Sequence, residues 1–165
     1  MREGPLVVGL GNPLHGDAGV GVRILELLAI HERLPEKVEL LVATPEFARQ
    51  RDYLLGRTRV ILLDAIRSPD RGAVRVLEDA ALRRLDPEEE HGDTPVSARY
   101  ALDLLEQAES ELLRAEFTVV GVAVGTGPLA LRPGLSEAVE AGAHAAAEAV
   151  LGLLETRANG GAPGG

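Results

Sequence analysis

The sequence predicts a three-layer α/β/α sandwich around a mostly parallel sheet of about five strands, one of them an edge strand. Three observations point there. Short apolar runs alternate along the chain with segments whose apolar residues recur every three or four positions, the order that right-handed crossovers produce. One run, Arg59-Val60-Ile61-Leu62-Leu63, is almost continuously apolar, as a parallel strand covered on both faces must be. A glycine-rich stretch from Gly9 to Gly21 joins the first apolar run to the first helical segment, a junction of the kind at which open α/β sheets lodge ligands.

Pro5-Leu6-Val7-Val8 is the first strand. Beyond the glycine loop, Val20, Ile24, Leu27, Leu28 and His31 build one face of a helix from about Ala18 to Arg33, with Asp17 placed to cap it and Leu34-Pro35 ending it. Lys37 to Ala43 reads as the second strand, and Thr44-Pro45-Glu46 as the opening of a short helix that runs to about Leu55 and closes at Gly56. Arg59 to Leu63 is the central strand and delivers Asp64 at its carboxyl end. Ser68 to Gly72 is a turn by composition, and Ala73-Val74-Arg75-Val76-Leu77 alternates as an edge strand.

Glu78 to Pro95 has no period and reads as a mobile, acidic loop. A helix from Ser97 to about Leu113 follows, then a last strand from Phe117 to Val124 and a loop from Gly125 to Gly134. Ser136 caps a final helix whose inward stripe is Val139, Ala143, Ala146, Val150 and Leu153 or Leu154. One domain is expected over residues 1–156, and a flexible glycine-rich tail over 157–165.

Composition narrows the function. A formal charge of -9 disfavours a nucleic-acid partner, because such binding relies on clustered cations. Cysteine is absent, so disulfides, thiolate metal sites and cysteine nucleophiles are excluded. No apolar run approaches the ~20 residues that span a bilayer, and no leader segment is visible; a cytoplasmic protein without membrane contact is expected.

On this topology three loops rise at one edge of the sheet: the glycine loop, the segment from Asp64 and the loop from Gly125. His91 to Thr94 is placed to fold over them. The glycine spacing is not that of a dinucleotide fingerprint, and no Walker lysine is present. Gly19 and Gly21 suit close packing of helix on strand. Asp64, ending the most apolar strand, needs a cation or amide donors if buried; it is either a metal ligand or a turn cap. Asp17 is likewise an N-cap or a ligand, and His91, among Glu88, Glu89, Glu90 and Asp93, is a cation-attracting group or part of a solvated loop. His31 and His144 lie on helices. No serine occupies a nucleophile elbow, so hydrolysis, if any, would use metal-assisted water with oxygen and imidazole ligands, suiting nickel, zinc or manganese.

Gly9-Leu10-Gly11-Asn12-Pro13-Leu14-His15-Gly16-Asp17-Ala18-Gly19-Val20-Gly21-Val22, Leu63-Asp64-Ala65, Gly121-Val122 and Leu135-Ser136-Glu137-Ala138-Val139 resemble the hydrogenase maturation endopeptidases, over about Val7 to Leu154. The resemblance implies a phosphorylase/hydrolase-like α/β/α fold. It also implies a substrate, the nickel-iron hydrogenase large subunit, from which a C-terminal extension is removed after nickel insertion. The substrate's nickel is read in that family by a glutamate, an aspartate and a histidine. The aspartate corresponds to Asp64, while the glutamate and histidine positions hold Ala18 and Val96. A divalent metal, supplied by the substrate, is the only cofactor implied. Asp17 and His91 stand as possible substitutes beside Asp64, and Gly9, Gly11, Asn12, His15, Gly125 and Thr126 as the loop residues facing a substrate. The alternative is a member that has lost peptidase action and serves as a binding or assembly protein for the large subunit, another partner or a small ligand, or that acts on another substrate. Gly9 to Pro13 also resembles the first loop of peptidyl-tRNA hydrolase, but the Thr-Arg-His-Asn segment that carries its base has no counterpart here.

Overall fold

The computed structural model describes residues 4–43, 51–86, 88, 93–110 and 115–158. Strands β1 (Leu6–Gly9), β2 (Glu39–Val42), β3 (Arg59–Arg67), β4 (Val74–Glu78), β5 (Thr94–Pro95) and β6 (Glu116–Ala123) form one sheet. Helices α1 (Val20–Ala29), α2 (Asp79–Leu82), α3 (Ala98–Ser110) and α4 (Glu137–Ala158) cover it. The strand order is β2-β1-β3-β6-β4, with β5 paired to the end of β3. The neighbours β2, β1, β3 and β6 run parallel, whereas β4 lies antiparallel on β6 and β5 antiparallel on β3.

Alternation along each strand sorts side chains to two cores. Val7, Ile61, Leu63, Ala65, Val120 and Val122 meet α1 and α4 on one face. Leu6, Val8, Val60, Leu62, Ile66 and Val119 meet α2, α3 and Leu54 on the other. Fully buried side chains such as Leu28, Ile61, Leu62 and Phe117 each contribute about 1.5–3 kcal/mol to this packing. The central strand is therefore sealed on both faces, as its composition requires.

Two expected boundaries move. The first helix opens as a 3-10 turn over Gly16–Gly19 and ends at Ala29, where the chain tightens into turns closed by His31 N–H to Leu28 O and Leu34 N–H to His31 O. The central strand runs past Leu63 to Arg67, because β6 continues beside it from Arg59 to Ile66 and β5 pairs with Ile66 and Arg67. Asp64 thus sits within a strand, not at its end. The segment expected as a loop from Glu78 contains α2 and β5, while Thr44 to Gln50 lies outside the described residues.

Gly21 fixes how closely α1 approaches the sheet. A Cβ there would collide with the carbonyl oxygens of Leu63 and Leu10, so only glycine lets the helix sit at this depth. Among the described residues no helix is long and apolar enough to cross a membrane.

Candidate functional site at the carboxyl edge of the sheet

The three loops expected to share an edge are stitched together there. Leu10 N–H donates to Leu63 O at 2.8 Å, Val96 N–H to Ala65 O at 2.8 Å and Gly125 N–H to Ser68 O at 2.9 Å. The first and last loops meet directly through Gly16 N–H and Arg132 O at 2.7 Å. Gly11 turns the chain at the start of this assembly with φ +102°, and a side chain there would strike the carbonyl of Ala18.

Asp64 lies at the centre and is 1% exposed. Its side chain stands on the α3 side of the sheet. Oδ1 accepts Ala65 N–H at 2.8 Å and the Ser97 hydroxyl at 3.4 Å, and Oδ2 accepts Ser97 N–H at 2.7 Å. Burial pushes its carboxyl up to about 7, against the opposing pull of the Ser97 and Ala65 N–H groups. It is a carboxyl that exchanges its proton near neutrality while fully enclosed. Ser97, read from the sequence only as a helix start, is its principal partner; the signal was its position just ahead of α3, where a backbone N–H is left over to meet an anion.

Ala18 is buried in the 3-10 turn that packs on β3. Val96 follows β5 and is 38% exposed. Asp17 does not cap the helix that follows it, which carries no side-chain cap. Its carboxylate faces the opposite way along the chain, taking Ser136 N–H at 2.7 Å and the Ser136 hydroxyl at 2.9 Å. Ser136 still opens α4, its carbonyl accepting Glu140 N–H at 2.9 Å, but its hydroxyl serves Asp17.

Gly9 ends β1 in the interior, with its carbonyl taking Ala43 N–H at 2.9 Å. Asn12, His15 and Thr126 are exposed, and Gly125 is half-buried. Asn12 shapes its own loop, its side-chain oxygen accepting Leu14 N–H at 3.0 Å. His91 lies outside the described residues. Among the described residues no three histidine, aspartate or glutamate side chains gather in a way that could hold a metal ion.

A cleft of about 430 Å³ opens beside Asp17 and Ser136 and is bordered by Arg71 and Arg132. Neither arginine stands out in the sequence, because the two are far apart in the chain and only folding brings their loops to one opening.

No family model matches the chain. It is 31% identical over 153 residues to the hydrogenase 2 maturation protease of Escherichia coli (strain K12), covering 90% of this chain and 89% of that protein. Among solved structures, the hydrogenase maturating endopeptidase HybD from E. coli superposes with a TM-score of 0.74 at 30% identity, covering 95% of this chain and 94% of the other. The NiFe hydrogenase maturation protease HybD from Thermococcus kodakarensis superposes with a TM-score of 0.72 at 25% identity, covering 93% and 99%.

Proposed function

Since the chain belongs to the hydrogenase maturation protease family, we propose that it engages the large subunit of a nickel-iron hydrogenase at the carboxyl edge of its sheet and holds it without cutting it. One observation carries this reading. Where the resemblance calls for glutamate, aspartate and histidine, the chain presents Ala18, a buried Asp64 hydrogen-bonded to Ala65 and Ser97, and Val96.

Methyl and isopropyl groups have no lone pairs to offer a metal. Asp64 keeps acceptor capacity on Oδ2, which takes one donor only, but a single carboxylate is one ligand where the resemblance calls for three. Asp17 is oriented toward Ser136, which donates to both of its oxygens. Two of the three positions that the resemblance assigns to nickel thus carry no donor atom, and among the described residues no three acidic or imidazole groups gather to replace them.

What the edge does offer is a surface for protein. Leu14, 62% exposed, and Leu131, 82% exposed, project from the two loops that Gly16 and Arg132 tie together, with Val96 on the neighbouring segment. Apolar side chains grouped around a polar opening suit a partner polypeptide. Size-exclusion chromatography with a purified, C-terminally extended large subunit tests the role. Co-elution of the two chains is expected, and separate elution at micromolar concentrations would defeat the reading.

A further inference from the structure

We propose that the cleft between Arg71 and Arg132 receives the terminal carboxylate of an extended peptide, an assignment that rests on the binding role above and names the part of the partner that is gripped. The cleft's volume of about 430 Å³ falls in the range of pockets that enclose small ligands.

Arg71 comes from the turn between β3 and β4, whose backbone is fixed by Arg71 N–H to Pro69 O at 2.9 Å and Gly72 N–H to Ala123 O at 2.7 Å. Its guanidinium lies over the bare Cα of Gly125. Arg132 comes from the loop between β6 and α4, held by the bond from Gly16. Both arginines are exposed, and among the described residues neither forms an ion pair. Arg23, Arg33, Arg75 and Arg83, by contrast, each face a carboxylate within 3.3 Å.

In a chain of net charge -9, two arginines that form no ion pair among the described residues set up a local positive field at one concave opening, against the overall sign. Asp17, the acidic residue in the lining, keeps its charge while turned toward Ser136, so two guanidinium groups against one carboxylate leave the lining net positive. Guanidinium forks match carboxylates in bidentate geometry, and two of them converging suit a single, fully charged terminal group. Leu129 and Leu135, half-buried and packed on the α1–α4 core, supply the apolar wall for the side chains that precede that group.

Fluorescence anisotropy tests this with a labelled peptide of the large subunit's C-terminal extension, made as the free acid and as the C-terminal amide. The free acid is expected to bind at least about tenfold more tightly, an advantage that shrinks as salt is raised. The double variant Arg71→Ala, Arg132→Ala is expected to lose that advantage while melting at an unchanged temperature and leaving the amide's affinity as it was. Arg71→Lys with Arg132→Lys should fall between, keeping charge but not the fork. Equal binding of acid and amide overturns the assignment. If the double variant then still co-elutes with the full-length precursor, the binding role stands and only the cleft assignment falls. If wild-type protein binds neither peptide nor precursor, both fall.

Discussion

Asp17 and Ser136, 119 residues apart in sequence, form a two-point clasp in which one carboxylate takes both the backbone N–H and the hydroxyl of one serine. It ties the turn before α1 to the start of α4 and so joins the first and last loops of the site. Ser136→Ala removes the hydroxyl and leaves an Asp17 oxygen buried without a partner. A loss of about 1–2 kcal/mol in urea unfolding is expected, and a larger one for Asp17→Ala, which strands the Ser136 N–H as well. Unchanged midpoints for both variants would show the clasp to be energetically idle.

The buried carboxyl of Asp64 makes stability depend on pH in a direction opposite to that of a paired surface acid. Unfolded, it titrates near 3.8; folded, near 7. Below both values it is protonated in either state and contributes nothing. Between them the folded chain keeps a proton that the unfolded chain has lost, so stability falls as pH rises, and above about 7 the full cost of the enclosed charge is present. Asp64→Asn removes this dependence. The difference in unfolding free energy between wild type and variant should shift across pH 4–7, at no more than ~1.4 kcal/mol per pH unit, and a flat difference would contradict the assignment.

Gly21 sets the distance between α1 and the sheet, and Gly21→Ala should therefore act as an overpacking change. An added methyl meets two backbone carbonyls that cannot rotate away. A destabilisation of about 1–3 kcal/mol or more is expected from thermal melts, even though alanine is the better helix former.

Restoring the two missing metal-binding side chains should restore the property they would confer. Isothermal calorimetry with nickel is expected to give no saturable isotherm for the wild type and a saturable one for the Ala18→Glu, Val96→His double variant. The double variant should be less stable by about 1–3 kcal/mol, because Ala18 is buried and a glutamate there must find a partner. Tight nickel binding by the wild type would mean that the described side chains are not the whole of the site.

Much of this was legible before folding, and the exceptions have physical causes. The layers, the central strand and the edge strand follow from apolar periodicity, which reports burial directly. The continuation of β3 through Asp64 was hidden, because a carboxylate interrupts an apolar run and reads as its end; only the neighbouring β6 keeps the strand going. Asp17 read as the cap of the helix next to it, since local sequence cannot show a partner 119 residues away. Ser97 as the holder of Asp64, and Arg71 with Arg132 at one cleft, belong to the same class of non-local pairing. Ala18 and Val96, however, stood out at once, because a resemblance fixes positions and shows what fails to fill them.

Intact-mass spectrometry of a nickel-loaded, C-terminally extended large subunit incubated with catalytic amounts of the purified chain tests the central claim most directly. The expected result is a precursor of unchanged mass, bound by the chain when the two are mixed in equal amounts. Loss of the C-terminal extension, with each molecule of the chain processing many precursors, would contradict it.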